Sequence, residues 1–118
     1  MDVVVSMILV LTAALLAHLV EEVATGFRAK LPLGEMPRPV FAGLNVLIYG
    51  YCFATFFLAA RGQRLAVPLA WFLAVIMCLN GLGHIGIMVW RREYFPGGFT
   101  AFFVLVASLL LMVALANL

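Results

Sequence analysis

Charged residues are scarce in this chain, and their scarcity excludes several classes of protein. Asp, Glu, Lys and Arg make up 10% of the 118 residues, and seven bases against five acids leave a net charge of +2. This charge is too small and too scattered for a nucleic-acid-binding surface, and no finger or RNA-binding motif is present. Because 67% of the residues are hydrophobic, more than a soluble domain of this length can bury, we expect the lipid bilayer to be its partner.

Cysteines, signal-peptide features and repeats are also few or missing. The two cysteines, Cys52 and Cys78, lie in apolar stretches, where we expect them to pack as small hydrophobic residues. No Lys or Arg precedes the apolar residues 3–17 and no convincing cleavage site follows them, so we interpret this segment as a retained span rather than a secretory signal. No linker or internal repeat divides the chain, which predicts a single domain over residues 1–118.

Four long hydrophobic runs occupy most of the sequence. Each is close to or above the ~20 residues that cross a hydrocarbon core of ~30 Å, and backbone groups in lipid must be hydrogen-bonded within the segment. We therefore predict helices, and the short connections between them favour antiparallel neighbours. The predicted fold is all-α: a polytopic membrane protein with an antiparallel bundle of four transmembrane helices, at about residues 3–27, 40–60, 65–90 and 99–118.

Basic residues are distributed unevenly among the connections. Five lie in the first and third connections, two lie in the second, and the terminal segments have none. Since positive charge is favoured in cytoplasmic loops, we expect the first and third connections in the cytoplasm and both termini outside, in an inner or plasma membrane. The five residues are Arg28, Lys30, Arg38, Arg91 and Arg92.

Three ionisable residues, His18, Glu21 and Glu22, lie inside the first hydrophobic run. Insertion scales assign roughly 2.5–3.5 kcal/mol to a charged residue such as Asp or Arg at the centre of a transmembrane helix, so such residues usually face a protein interior and mark a functional site. Their i, i+3, i+4 spacing places all three on one helix face. We therefore predict a functional site around them.

Polar residues of three predicted helices lie at matching depths. With a rise of ~1.5 Å per residue, one level is about 10 Å inside the cytoplasmic ends of the helices and the next is about 15 Å inside. The fourth helix offers only Thr100 and Ser108, so we expect it to be a packing or lipid-facing wall. The members of the outer level are Glu22, Asn45 and His84, and those of the inner level are His18, Tyr49 and Asn80.

Two glycine-containing patterns have structural interpretations. Residues 81–86 match G-x-G-x-x-G, but they lie inside an apolar helical run, whereas the dinucleotide fingerprint needs a preceding strand and a loop. We therefore predict no nucleotide cofactor and expect these glycines to let neighbouring helices approach closely. Pro96 and Gly97 are typical of the central pair of a type II turn, in which glycine adopts a positive φ.

A His-x-x-Glu-Glu run at 18–22, a later histidine and a Tyr-x-Pro-Gly element at 94–97 occur in this order. In these features the chain resembles the HXXEE-motif family of small membrane proteins. The resemblance spans about residues 18–97 and implies a site without implying a reaction, because the family carries no assigned chemistry. It implies that the family pattern falls on His18, Glu21, Glu22, His84, Tyr94, Pro96 and Gly97.

Two histidines and a glutamate are the ligand set of His2Glu catalytic zinc sites. We expect His18, His84 and either Glu21 or Glu22 to bind zinc or another divalent transition metal, with the remaining glutamate as general base. These four residues are the predicted catalytic residues of a small membrane enzyme that acts on a lipophilic substrate by hydrolysis or a related acid/base step. Orientation of ligands or stabilisation of an oxyanion is expected from Asn45, Tyr49 and Asn80.

Other functions stay open from the sequence. Adjacent carboxyl groups with histidine nearby suit a metal-free isomerase or cyclase of a lipid-like substrate. Glu/His chains in membranes also serve as proton relays, although the chain is short and has no obvious inverted repeat. A non-catalytic scaffold held by polar contacts is a further alternative. A di-metal bundle would need more carboxylates than the two inside the predicted spans, unless a homo-oligomer shares ligands.

The predicted membrane boundary near the site favours an amphipathic ligand. Guanidinium groups at this level bind phosphate or carboxylate, although Arg and Tyr are also ordinary interfacial anchors. The boundary residues that we expect to contact a substrate are Arg38, Arg91, Arg92 and Tyr94.

Overall fold

The structure, a computed structural model, describes residues 1–118 and contains helices and no strands. Each long helix is long and apolar enough to cross a membrane, which confirms the predicted all-α fold and marks the chain as an integral membrane protein. One turn of 3-10 helix, Phe27–Ala29, follows the first helix. The long helices are α1 (Asp2–Thr25), α2 (Arg38–Ala60), α3 (Ala66–Arg91) and α4 (Gly98–Ala116).

Helix α4 is the central packing element of the bundle. It forms the most extensive contact with α3 and the next most extensive with α1. Small residues make this possible: a Cβ added to Gly81 of α3 would lie 3.0 Å from the Ala101 carbonyl oxygen of α4, so the two backbones touch there. The expected close approach is thus confirmed at Gly81, whereas Gly83 and Gly86 have no neighbouring atoms within 4 Å that a Cβ would meet.

Helix α2 is more peripheral than the other three. Only Cys52, Thr55 and Ala59 of this helix are buried, whereas α4 buries seven residues. Pro37 precedes α2 and Pro39 lies in its first turn, where the absence of an N–H costs no helical hydrogen bond. The C-terminal ends of α1 and α3 and the N-terminal ends of α2 and α4 meet at one end of the bundle, together with the segments 26–37 and 92–97.

Candidate metal centre

Three buried side chains converge between α1 and α3 at this end of the bundle. His18 and Glu22 lie one turn apart on α1, and His84 lies on α3. The Nε2 atom of His18 is 3.7 Å from Glu22 Oε1, and the Nε2 atom of His84 is 3.6 Å from Glu22 Oε2. The two imidazole rings meet edge to face with centroids 4.6 Å apart. We call His18, Glu22 and His84 the trio.

The separations within the trio fit a shared metal ion better than direct hydrogen bonds. Distances of 3.6 and 3.7 Å exceed hydrogen-bond length. Ligands placed 2.0–2.2 Å from a tetrahedral zinc ion are themselves ~3.3–3.6 Å apart. One ligand atom from each trio member lies within 4.8 Å of the others. His18 Nε2 is also buried without a hydrogen-bond partner, so the donor set and its spacing fit a divalent metal.

The protonation of His18 follows from its hydrogen bonds. Its Nδ1 atom lies 2.8 Å from the Thr100 hydroxyl. That hydroxyl has a single proton, and its nearest acceptor is Glu21 Oε1 at 2.6 Å, against 3.4 Å for the Gly97 carbonyl. Thr100 therefore donates to Glu21 and accepts from Nδ1–H of His18. The Nε2 lone pair of His18 is consequently free toward Glu22, as a metal-ligating imidazole requires.

Glu21 points away from the trio and receives four hydrogen bonds. Its Oε2 accepts from the Tyr94 hydroxyl and from the Phe99 backbone N–H, the latter at 3.0 Å. Its Oε1 accepts from the Thr100 N–H at 2.7 Å and from the Thr100 hydroxyl. A carboxylate offers about four lone-pair positions, so none is left for a reacting proton. We call Glu21, Tyr94, Phe99 and Thr100 the Glu21 anchor.

The Glu21 anchor supplies the N-terminal cap that α4 otherwise lacks. The residue before α4 is Gly97, and no side chain of its own segment caps this helix. The Glu21 carboxylate binds N–H groups of the first turn from another helix, where its negative charge also opposes the positive end of the helix dipole. Burial, and then the hydrogen bond to Glu21, raise the pKa of Tyr94 above its ordinary value.

Gly97 brings the α3–α4 connection against the trio. It adopts φ 87° and ψ −8°, and the Gly98 N–H donates to the Phe95 carbonyl at 2.8 Å. This is the predicted type II turn. A Cβ at position 97 would lie 2.7 Å from His84 Cε1, 2.8 Å from His18 Cε1 and 3.0 Å from Glu22 Cγ. Both the backbone conformation and the space therefore require glycine here.

Aromatic rings, rather than a hydrogen bond, fix the position of the His84 imidazole. Phe27 stacks on the imidazole with centroids 5.3 Å apart, and the Phe95 ring lies at 5.4 Å. Phe95 is buried. The His84 Nδ1 atom has no hydrogen-bond partner. This apolar cover keeps one side of the trio dry, which strengthens electrostatic interactions within it.

The three polar residues predicted to assist the ligands lie in different surroundings. The Asn45 amide donates to the Phe41 carbonyl of its own helix at 2.9 Å. The Tyr49 hydroxyl donates to the Leu15 carbonyl of α1 at 2.6 Å. Neither side chain hydrogen-bonds to a trio residue. The Oδ1 atom of Asn80 is buried and has no partner, so this residue keeps a buried polar atom free for a ligand.

A cleft of about 360 Å³ reaches the trio at Glu22. Of the predicted boundary residues, Arg38 lines it. Arg91 and Arg92 are exposed outside it, the Arg91 guanidinium lying 5.8 Å from the centre of the Trp90 ring, and Tyr94 belongs to the Glu21 anchor. The lining residues are Glu22, Val23, Gly26, Phe27, Arg28, Ala29, Arg38 and Phe41.

Helix α4 packs against its neighbours as expected, but it also contributes to the site. Its first turn contributes Phe99 and Thr100 to the Glu21 anchor, and Thr100 fixes the proton on His18. Sequence reasoning also missed Phe27, Arg28 and Phe95. The available signal for Thr100 was its place three residues after Gly97, in the first turn of a helix whose N-terminal residues carry no acidic or capping side chain.

The comparisons with known proteins agree with the motif and add no chemistry. Residues 9–112 match a family described as "Protein of unknown function with HXXEE motif". No curated protein and no solved structure matches the chain. The histidine and the second glutamate of the motif belong to the trio, and the first glutamate belongs to the Glu21 anchor. Since the match covers most of its length, the chain belongs to the HXXEE family.

Proposed function

We propose that this protein is a metal-dependent membrane enzyme that hydrolyses a lipophilic substrate. The observation that carries the proposal is the trio: two imidazoles and a carboxylate, all buried, separated by distances that suit one shared ion. Purely structural polar contacts between transmembrane helices are expected to close into hydrogen bonds. The trio does not, and an uncompensated buried group of this kind is costly.

His18 Nε2, His84 and Glu22 would hold the metal, zinc being the ion that this ligand set most often binds. When bound, the metal supplies a water of lowered pKa and polarises a carbonyl or phosphoryl oxygen. Thr100 and Glu21 orient the His18 ring by accepting and passing on its Nδ1 hydrogen bond. The acceptor positions of Glu21 are already filled, so we assign no general-base role to it and keep Glu22 as the carboxylate ligand.

The location of the cleft supports a lipophilic substrate. Glu22 lines the cleft together with Phe27 and Phe41 and with basic residues at the ends of membrane-spanning helices. An amphipathic molecule would place its polar part among the basic residues and its apolar part along the helices. The amphiphile is thus presented to the trio from the membrane boundary.

Acid/base catalysis without a metal is the second candidate function. Its supporting observation is that one carboxylate lies between two imidazoles at 3.6 and 3.7 Å, an arrangement in which a small shift allows proton exchange. Such a site would isomerise or cyclise a lipid-like substrate. A proton relay uses the same three groups, and it differs from an enzyme by carrying protons across a vesicle membrane.

Metal content separates these functions. Protein purified in detergent from cells grown with trace metals is analysed for bound transition metals. We expect about one ion per chain, its loss in Glu22→Gln and in His84→Ala, and its retention in Glu93→Gln, which changes an exposed glutamate outside the trio. A wild-type protein without metal that retains its activity contradicts the proposal and supports metal-free catalysis.

The reaction is tested by lipid profiling of matched cells. Total lipid extracts are compared between cells that express the wild-type chain, Glu22→Gln or Glu93→Gln at equal levels. A hydrolase depletes one lipid and accumulates its two hydrolysis products, in the wild-type and Glu93→Gln cells only. Identical profiles in all three, with full metal occupancy of the wild-type protein, would instead indicate a non-catalytic metal-binding protein.

A further inference from the structure

We propose that the cleft beside Glu22 binds the anionic headgroup of an amphiphile through Arg38 and Arg28, so that the substrate class is an anionic lipid. This inference rests on the proposed function, because it names the substrate of the same site. It extends that function by a chemical requirement: the substrate carries a phosphate or carboxylate next to the bond that reaches the trio.

The charges that line the cleft are unequal. Two guanidinium groups and one carboxylate contribute to it, and the carboxylate is Glu22, which is buried and faces the imidazoles. Arg38 is exposed and forms no ion pair and no side-chain hydrogen bond in the structure. Its five N–H donors are therefore free for an anion, and a guanidinium suits the two oxygens of a phosphate or carboxylate.

Arg28 lines the same cleft as Arg38, and contacts with its own segment fix its position. One of its nitrogens, Nη1, forms an ion pair with Glu35 at 2.7 Å, which offsets part of its charge, and donates to the Met36 carbonyl at 3.2 Å. These bonds fix the direction of the guanidinium and leave its other nitrogens unpaired. Because one arginine is already oriented, binding an anion costs less side-chain entropy than it would between two mobile arginines.

The position of the cleft selects an amphiphile over a free anion. Arg28 follows α1 and Arg38 begins α2, so both lie at ends of membrane-spanning helices, the level of lipid headgroups. The rings of Phe27 and Phe41, 6.1 Å apart, form an apolar wall beside them. At about 360 Å³ the cleft is large enough for a headgroup but small for a whole lipid, whose chains must remain in the bilayer.

The cleft connects the headgroup to the trio. Glu22 lies in the last turn of α1, Arg28 lies in the 3-10 turn that follows Gly26, and both line the same cleft. An anionic group held at the arginines therefore places the neighbouring part of the molecule, between headgroup and tail, toward Glu22. A neutral amphiphile has no charged group to bind the arginines and so is not fixed at their level. The arginines would therefore determine both the affinity for the substrate and which of its bonds lies next to the trio.

The test uses titration calorimetry to measure how tightly dodecyl phosphate binds the protein in nonionic detergent micelles. Neutral dodecyl maltoside and inorganic phosphate are the comparison ligands. We expect Arg38→Gln to weaken dodecyl phosphate binding about tenfold, the loss of a charge-assisted contact, and Arg38→Lys to weaken it less. The matched control, Arg64→Gln, removes an exposed arginine from the other end of the bundle and should bind like the wild type.

The outcomes separate this inference from the metal proposal. Glu22→Gln removes a predicted metal ligand and leaves both arginines of the cleft in place, so it should lose metal and bind dodecyl phosphate at least as tightly. Equal affinities of Arg38→Gln and Arg64→Gln overturn the inference and leave the metal proposal intact. Inorganic phosphate that binds as tightly as dodecyl phosphate also overturns it, because the cleft would then recognise a free anion.

Discussion

The two adjacent glutamates of the motif belong to two very different regions. Glu21 lies in an anchor where each of its oxygens accepts two hydrogen bonds, whereas Glu22 lies in the trio and faces imidazoles beyond hydrogen-bond distance. Neighbouring positions on a helix point in directions about 100° apart. One side chain therefore reaches the start of α4, and the other reaches α3.

Within one motif, the first glutamate therefore stabilises the fold and the second belongs to the candidate metal site. The Glu21 anchor is saturated, so it stabilises the α4 terminus and orients His18 without exchanging protons. The trio has nitrogen and oxygen atoms without hydrogen-bond partners, so it has the capacity to bind an ion. Thr100 joins the two regions, because its hydroxyl contacts both Glu21 and His18. The following variants test whether the two glutamates have these separate roles.

Gly97→Ala should have the largest effect, because it damages both regions. Alanine is strained at φ 87°, and its Cβ would lie within 3.0 Å of atoms in all three trio residues. We expect a loss of ~2–3 kcal/mol of unfolding free energy together with loss of bound metal. Thermal unfolding in detergent and metal analysis measure the two effects.

The matched control for this variant is Gly83→Ala. A Cβ at position 83 meets no atom within 4 Å, and alanine is favoured over glycine in a helix interior by up to ~1 kcal/mol. It should therefore keep the metal and the wild-type stability or exceed it. Equal behaviour of the two alanine variants would contradict the close approach of the α3–α4 turn to the trio.

Glu21→Gln and Glu22→Gln should affect different measurements. Glu21→Gln replaces two acceptor positions by an N–H2 that faces donors, and it should cost ~2–3 kcal/mol of stability. Glu22→Gln changes a buried carboxyl group that makes no hydrogen bond, so the stability of the metal-free protein should change by less than ~1 kcal/mol while metal binding is lost. If Glu22→Gln is the more destabilising of the two, the division between anchor and trio is wrong.

Thr100→Val tests the link between the regions with nearly unchanged side-chain volume. It removes the acceptor for His18 Nδ1–H and a donor to Glu21. We expect metal affinity to fall about 10–100-fold, as for other groups that orient a ligating histidine, with a stability loss of ~1–2 kcal/mol. Thr55→Val is the control, since the Thr55 hydroxyl bonds only to the Tyr51 carbonyl within α2; metal titration should not distinguish it from wild type.

Tyr94→Phe should have the smallest effect, about 0.5 kcal/mol, because the hydroxyl is partly exposed and Glu21 keeps three other donors. The raised pKa of Tyr94 means that the neutral hydroxyl is favoured in the folded state. Its stabilising contribution is therefore complete below the ordinary tyrosine pKa of about 10 and is lost as pH rises through the folded-state value.

Unfolding measured from pH 8 to 11 checks this contribution. The difference in stability between wild type and Tyr94→Phe should shrink at the alkaline end of this range. A difference that stays constant or grows with pH would show that the hydroxyl does not donate to Glu21 in the folded protein. Metal content should be the same in both proteins throughout, since Tyr94 does not contact the trio.

The helices, and the nearness of the two histidines to the pair of glutamates, were accessible from the sequence because they depend on local rules. Hydrophobic length predicts the spans. The i, i+4 spacing places His18 and Glu22 on one face, and helical rise places His84 near the level of Glu22. Depth alone does not give direction around a helix axis, and Asn45 and Tyr49, at matching depths, bind backbone carbonyls instead.

The role of the α4 terminus was not accessible in this way. Thr100 gave only a weak signal, because a threonine in a first helical turn is common and no pattern links it to a glutamate 79 residues earlier. The two glutamates were likewise equivalent in the sequence, since both are consistent with an inward-facing helix surface. Only contacts between helices distinguish them.

The order of amino acids was sufficient to predict a set of membrane-spanning helices that carries imidazole and carboxylate groups at one end. It was sufficient because length, hydropathy and helical spacing are properties of each segment alone. Which glutamate faces the histidines and which one caps α4 depends on how the helices pack together. The physical reason is that rotation of each helix about its axis is fixed by packing, at close contacts such as Gly81 against Ala101 and Gly97 against the trio.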